Sequence, residues 1–237
     1  MKTAIIIPTY NEEDNIEKVT QGIFDNLQSA DFSIIFVDDN SSDSTVSKIN
    51  SLRKEHSNII LYQRKAKLGL ASAYIEGFNY AKSLGFDSVI QMDADLSHNP
   101  SYLAEMFNNL EDNDLVIGSR YVKGGATPDW GVSRKIISFG GSLYSRLILS
   151  CPIRDLTGGF NGWRVDLLDK INLDKIISKG YCFQIEMKYR AFKLKARIKE
   201  FPIVFKDRTM GKSKMSKAIF VEALLNVVKL RFCKNIP

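Results

Sequence analysis

Apolar and polar positions along the chain alternate in a regular order. Short apolar runs rich in β-branched residues occupy 3–7, 32–37, 59–62, 89–92 and 114–117, and runs of that length bounded by polar turns predict buried strands. Between them lie amphipathic stretches at 12–27, after Ser41-Ser42-Asp43, at 70–83 and after Pro100, where apolar residues recur at helical spacing. Strand alternating with helix predicts an α/β fold: a Rossmann-like, mostly parallel sheet with helices on both faces. Beyond Ser119 the pattern loosens into Gly-rich connections, followed by helices over 133–149 and 182–192, a strand over 198–204 and a closing helix over 216–232. The expected organisation is one domain over 1–215 and a C-terminal amphipathic helix within 216–237.

Acids recur where the predicted strands end. Asn11-Glu12 follows the first, Asp38-Asp39 the second, and Asp93-x-Asp95 the run ending in Gln91-Met92. In open α/β sheets ligands gather at the carboxyl ends of the strands. Carboxylates there suit a hard divalent cation, magnesium or manganese, whose shell is completed by water and substrate phosphates. The plainer alternative makes Asp93 and Asp95 a strand exit and a helix cap ahead of Asn99-Pro100. Three acidic strand ends side by side look instead like a nucleotide site, with Asp39 on a ribose or base and Asp95 on metal and diphosphate. Neither Gly-x-x-x-x-Gly-Lys-Ser/Thr nor Gly-x-Gly-x-x-Gly is present, so metal has to do the phosphate work.

Composition sets limits without adding chemistry. The 237 residues are 44% hydrophobic and 25% charged, as in ordinary globular proteins. The longest uncharged stretch, 136–145, is too short to span a bilayer, and residues 1–8 suit a first strand better than a signal peptide. Cys151, Cys182 and Cys233 are scattered without metal-site spacing, which points to a reducing compartment and a cytoplasmic location. The net charge of +6 is uneven: from Lys188 onward 14 Lys and Arg face 3 acids, leaving 19 against 24 before it. A basic end on a mildly acidic body implies an anionic partner, nucleic acid or an anionic membrane surface.

Six segments in order resemble the inverting family 2 glycosyltransferases of GT-A fold, and among them the dolichyl- or polyprenyl-phosphate mannose synthases. They are Ile7-Pro8-Thr9-Tyr10-Asn11-Glu12, Val37-Asp38-Asp39-Asn40-Ser41-Ser42-Asp43, Met92-Asp93-Ala94-Asp95-Leu96-Ser97-His98, Gly118-Ser119-Arg120-Tyr121, Asp155-Leu156-Thr157-Gly158-Gly159-Phe160, and Asp207-Arg208 with Gly211-Lys212-Ser213-Lys214. The resemblance implies a GT-A domain over 1–215. It implies that Pro8, Tyr10, Glu12, Val37, Asp39 and Gln91 hold the donor nucleotide, and that Asp93, Ala94 and Asp95 bind the metal-diphosphate. Arg208 and Lys214 would act near the diphosphate, and Arg120, Arg134 and Ser138 would contact an acceptor phosphate. Where some family members carry Gln two residues past the second Asp, this chain has Ser97, a shorter metal ligand.

The chemistry so implied is inverting transfer of mannose from GDP-mannose to a polyprenyl phosphate. A metal stabilises the leaving diphosphate. A phosphate monoester, largely dianionic at neutral pH, needs no general base, only cations such as Arg120 and Arg134 to hold it. Alternatives are UDP-glucose as donor, a sugar hydroxyl as acceptor, or a non-catalytic nucleotide-sugar or nucleic-acid binder. A hydroxyl acceptor usually goes with a carboxylate base, and polymerising relatives carry a Gln-x-x-Arg-Trp motif that this chain lacks. No nucleic-acid motif is present. His98 is assigned no catalytic role, Phe160, Trp163 and Trp130 read as core aromatics, and Glu186 as a partner of a nearby base. The closing helix, with Lys217, Lys229, Arg231 and Lys234 around its apolar residues, is expected to lie in a membrane interface. That implies a peripheral protein on the cytoplasmic face, and leaves open a partner that supplies an anchor.

Overall fold

The computed structural model describes residues 1–28, 30–178, 180–206 and 217–233. Among these, seven strands form one sheet: β1 (Thr3–Thr9), β2 (Phe32–Asp38), β3 (Ile59–Gln63), β4 (Ser88–Gln91), β5 (Leu115–Ser119), β6 (Asn161–Arg164) and β7 (Ile198–Pro202). Their order is β3-β2-β1-β4-β6-β5-β7. Every pairing is parallel except those of β6, which runs antiparallel to β4 and β5. The helices are α1 (Ile16–Asn26), α2 (Thr45–Glu55), α3 (Leu70–Ser83), α4 (Leu103–Asp112), α5 (Val132–Leu149), α6 (Val165–Ile171), α7 (Tyr181–Lys193) and α8 (Lys217–Phe232).

The central strand shows why the sheet is covered twice. β1 sends Ala4 and Ile6 to one face and Ile5 and Ile7 to the other, all fully buried. Ile5 and Ile7 join Ile16, Val19 and Ile23 of α1, Ile49 of α2, and Leu103 and Met106 of α4. Ala4 and Ile6 join Tyr74 and Phe78 of α3, Leu168 of α6, Phe183 of α7, and Val227 and Leu230 of α8. An unbroken apolar run is what a strand buried on both faces requires.

Three differences from expectation have local causes. The first helix begins at Ile16 rather than 12 because the residues before it are tied to the loop after β2. The Asn11 amide donates to Ser41 Oγ at 2.9 Å, Glu12 to Thr45 Oγ1 at 2.8 Å and Glu13 to Asp43 Oδ2 at 3.3 Å. β6 and α6 arise from a stretch that looked like connection, since four residues containing Gly162 give no periodic signal. That glycine is needed: a Cβ there would lie 2.7 Å from Leu110 Cδ1 of α4. The expected interfacial helix, α8, is instead docked. Val227 and Leu230, assigned to the acyl boundary, are turned into the core, the Tyr144 hydroxyl of α5 donates to the Leu224 carbonyl at 3.2 Å, and Leu225 and Phe232 are exposed. Phe160, Trp163 and Trp130 are buried as expected.

α3 lies close on the sheet because Gly77 has no side chain. A Cβ there would stand 2.6 Å from Ile6 Cγ2 and 3.0 Å from Val37 Cγ2, and both partners are fully buried. Gly77→Ala is therefore expected to lower stability by about 1–3 kcal/mol through overpacking, despite alanine's better helix propensity. Urea denaturation measures it, and an equal or higher midpoint would show that α3 can lift off without cost.

Candidate active site

Parallel pairing brings the ends of β1, β2 and β4 to one edge, with β1 in the middle. Thr9 is in register with Asp38, and Ile6 with Gln91. Left-handed residues turn the chain just beyond each of these strands: Asn11 (φ 55°), Asn40 (φ 61°) and Leu96 (φ 61°). Asparagine adopts that conformation readily. Leucine does so at a cost of order 1–2 kcal/mol, so the turn holding Asp95 is strained.

The two acids after β2 have different work. Asp38, fully buried, accepts from Thr9 Oγ1 at 2.9 Å, from the Ser41 amide at 2.9 Å and from Ser41 Oγ at 2.6 Å, fastening the β1 and β2 ends together. Asp39 points along the edge. Its Oδ1 is ion-paired with Arg64 Nη1 and its Oδ2 accepts the Gly69 amide at 3.3 Å. Arg64 also reaches Glu76 at 3.0 Å and the Ser72 hydroxyl. Nearby, Tyr10 is exposed with the Lys67 ammonium 3.5 Å above its ring. Pro8 is half-buried, and Glu12 accepts from Asn15 Nδ2 at 2.8 Å.

After β4, Asp93 Oδ1 accepts the Tyr74 hydroxyl at 2.9 Å, and the Asp93 amide donates to His98 Nδ1 at 3.0 Å. Burial first, and then the Asp93 carboxylate, raise the Tyr74 pKa well above its usual value, so the phenol stays a donor. Asp95 Oδ1 accepts the Ser97 amide at 3.1 Å. Among the described residues no three His, Cys, Asp or Glu side chains gather around a metal position. The donor set is two carboxylates plus Ser97 Oγ, which is buried and has no hydrogen-bond partner. Hard oxygen ligands too few to enclose an ion fit magnesium or manganese shared with a diphosphate.

Farther along the edge, Arg120 is gripped by Asp155. Its Nε meets Oδ2 at 2.8 Å, Nη2 meets Oδ1 at 2.7 Å, and Nη2 also donates to Thr157 Oγ1 at 2.9 Å. Trp130 lies between two guanidinium groups, with Arg120 Cζ 5.4 Å and Arg134 Cζ 4.1 Å from its ring. The Tyr121 hydroxyl donates to Ser138 Oγ at 2.7 Å. Arg120, Arg134 and Ser138, 18 residues apart at most, are thus collected around Trp130 and Tyr121. From beneath, the buried Lys188 ammonium donates to the carbonyls of Asp155 at 2.8 Å and Gly158 at 2.7 Å. Burial lowers its pKa to about 8 against the opposing pull of Asp155.

Some expected contacts are placed elsewhere. Gln91 is fully buried, and its Oε1 accepts from Asn161 Nδ2 at 3.0 Å and Trp163 Nε1 at 2.8 Å. It therefore joins β4 to β6, with its Nε2 buried and without a hydrogen-bond partner. Val37 is likewise fully buried, under α3, and Ala94 is buried between the two acids. Arg120 commits Nε and Nη2 to Asp155 and Thr157. Glu186 pairs with Arg190 at 2.7 Å, as expected of a structural acid. Arg208 and Lys214 lie outside the described residues. Arg64, Tyr74 and Lys188 went unnoticed in the sequence, because each is one residue within an otherwise ordinary strand exit or helix.

Residues 4–171 match the family described as glycosyl transferase family 2. Over 229 residues the chain is 41% identical to undecaprenyl-phosphate mannosyltransferase of Micrococcus luteus, covering 97% of this chain and 93% of that one. It is 36% identical over 230 residues to polyprenol monophosphomannose synthase of Mycolicibacterium smegmatis, covering 96% and 86%. Among solved structures, glucosyl-3-phosphoglycerate synthase from Mycobacterium tuberculosis with Mn2+, UDP and glucosyl-3-phosphoglycerate superposes with a TM-score of 0.65 at 18% identity, covering 97% of this chain and 78% of that one. The same enzyme with Mg2+ and UDP also gives 0.65 at 18%. These structures establish the fold as GT-A.

Asp155 supplies the pH dependence of this edge. Burial alone would push its carboxyl up, but Arg120 overrides that and holds it at about 2. Its folded value lies below the unfolded 3.8, so its contribution is complete above about pH 4 and is lost as pH falls toward 2. Asp155→Asn should cost about 2 kcal/mol or more at pH 7, with the gap to the unchanged protein narrowing at pH 3. Denaturant titrations at the two pH values measure this, and an equal gap at both would mean that the carboxylate charge is not the anchor.

Proposed function

We propose that this chain, a glycosyltransferase that belongs to glycosyl transferase family 2, transfers mannose from GDP-mannose to a polyprenyl phosphate with inversion. Its similarity to two enzymes named for mannosyl transfer to undecaprenyl phosphate and for polyprenol monophosphomannose synthesis, each over nearly the whole chain, supports the substrate class. The observation that carries the chemistry is the row along one edge: Asp39, then Asp93 and Asp95, then two arginines about Trp130.

In this scheme Asp39, held by Arg64 and the Gly69 amide, takes the nucleoside, and Tyr10 lies against it. Asp93, Asp95 and Ser97 hold magnesium or manganese, which when bound acts as a Lewis acid on the leaving diphosphate. Tyr74 holds the Asp93 carboxylate in place through its hydroxyl. Arg134, Ser138 and Arg120 receive the acceptor phosphate. Attack from the side opposite the diphosphate inverts the anomeric centre. The acceptor oxygen is already ionised near neutral pH, which agrees with the placement of His98: its Nδ1 accepts the Asp93 amide and its ring packs on Phe160 and Phe205. The cytoplasmic face of a membrane is where such an acceptor meets a nucleotide sugar, and a partner that anchors the protein there is compatible with the exposed residues of α8.

Incubation with manganese or magnesium, a polyprenyl phosphate, and GDP-mannose or UDP-glucose in parallel is expected to give a mild-acid-labile mannolipid from GDP-mannose. A glucolipid from UDP-glucose alone would overturn the donor assignment. Asp95→Ala should abolish turnover together with metal-dependent donor binding, and undiminished turnover would remove the metal from this site. Arg134→Ala should weaken acceptor use about ten- to a hundredfold, the effect of losing one charge-assisted bond, with little change in donor binding. The reverse pattern in KM values would move Arg134 to the donor side.

A further inference from the structure

α5 is amphipathic in the wrong sense for a soluble protein. Its buried positions include Ser142, Ser145 and Leu149. Val132, Ile136, Phe139, Leu143 and Leu147 are 40–74% exposed. At about 100° per residue these five fall within an arc of roughly 80°. Exposed apolar stripes of this length mark contact surfaces.

A pocket of about 220 Å³ opens beside the stripe, lined by Tyr121, Phe139, Ser142, Leu143, Arg146 and Arg154. Arg146 Nε is buried without a hydrogen-bond partner, and among the described residues no acid pairs with the guanidinium of either arginine. Glu200 is engaged by the amides of Arg154 at 2.7 Å and Asp155 at 2.9 Å. The pocket is separate from the Trp130 cluster but shares a wall with it. Tyr121 stands between, edge-on to Phe139 at 5.5 Å and 5.1 Å from Arg120 Cζ. Ser142 Oγ lies 3.1 Å from Thr157 Oγ1, which in turn accepts from Arg120.

We infer that this pocket binds the phosphate of an anionic phospholipid while the α5 stripe enters the acyl boundary. Two guanidiniums with apolar walls complement an anionic amphiphile, in which one phosphate joins apolar chains. A small soluble phosphate would use the cations and leave the stripe uncovered. A second copy of this chain would bring the same arginines near each other across a two-fold axis. The membrane is therefore held by α5 and these arginines, with the acceptor cluster one aromatic wall away.

The test uses the full chain with vesicles of phosphatidylcholine alone or with phosphatidylglycerol, in the absence of metal, donor and acceptor, so that its failure leaves the proposed reaction standing and the converse. Sedimentation should show binding to the anionic vesicles that falls about thirtyfold in the Arg146→Gln/Arg154→Gln variant, as two lost charges at an anionic surface imply. Leu147→Ser, at an exposed position, should weaken binding to both vesicle types, with circular dichroism unchanged. Undiminished binding by the double variant overturns the pocket assignment. Displacement of the protein from vesicles by millimolar glycerol phosphate would make it a site for a soluble phosphate instead. A dimer in solution that Leu147→Ser converts to monomer would give the stripe to a second copy.

Discussion

The site depends on β1 pairing in parallel with both β2 and β4. Parallel strands all end at the same edge, so three carboxyl-terminal loops far apart in sequence are delivered side by side. Asp38 then spends its charge-bearing oxygens on Thr9 and Ser41, which fixes the loop after β2 against that after β1. With Asp38 so committed, Asp39 is aimed along the edge toward Arg64 and Gly69. The cost of the arrangement shows at Leu96, whose left-handed backbone is stored strain next to the paired acids.

The two halves of the edge solve the burial of charge differently. At the end of β2 Asp39 and Arg64 are both nearly buried and neutralise each other, with Glu76 at the outer end. On the other side one buried carboxylate, Asp155, faces two buried cations, Arg120 and Lys188. Removing ions from water is expensive unless they are paired, and the charge of Glu200 acts on Lys188 as well. Lys188 carries part of that burden, since burial brings its pKa down to about 8.

The sequence made the ends of β1, β2 and β4 legible because their signals were local. An apolar run followed by acids states both a strand and its functional end, and the elements of the first half, from β1 to β5, lie where the hydrophobic periods put them, to within a few residues at their ends. Lost information was of a different kind. β6 is held by neighbours on both sides rather than by its own four residues, and its arrival between β4 and β5 also explains Gln91, whose carbonyl is taken by Asn161 and Trp163. Arg64 and Lys188 declare a role only through partners 25 and 33 positions away. Spacing along the chain carries no trace of such pairs.

α5 and α8 mark the limit of periodicity most clearly, because a repeating apolar stripe predicts a helix but not which way the stripe faces. In α8 apolar residues read as lipid-facing turn inward at Val227 and Leu230. In α5 the reversal runs the other way, and hydroxyls fill the inner face. Ser145 donates to the Gly141 carbonyl at 2.8 Å, and Ser142 and Ser138 meet Thr157 and Tyr121. Buried hydroxyls with partners cost little, so they share the inner face with Leu149, Tyr144 and Ile148, which pack on the core. The same helix carries Phe139, Leu143 and Leu147 outward beside the arginines around Trp130. Facing is thus decided by which polar groups find partners inside, a property of the assembled fold that hydropathy alone does not encode.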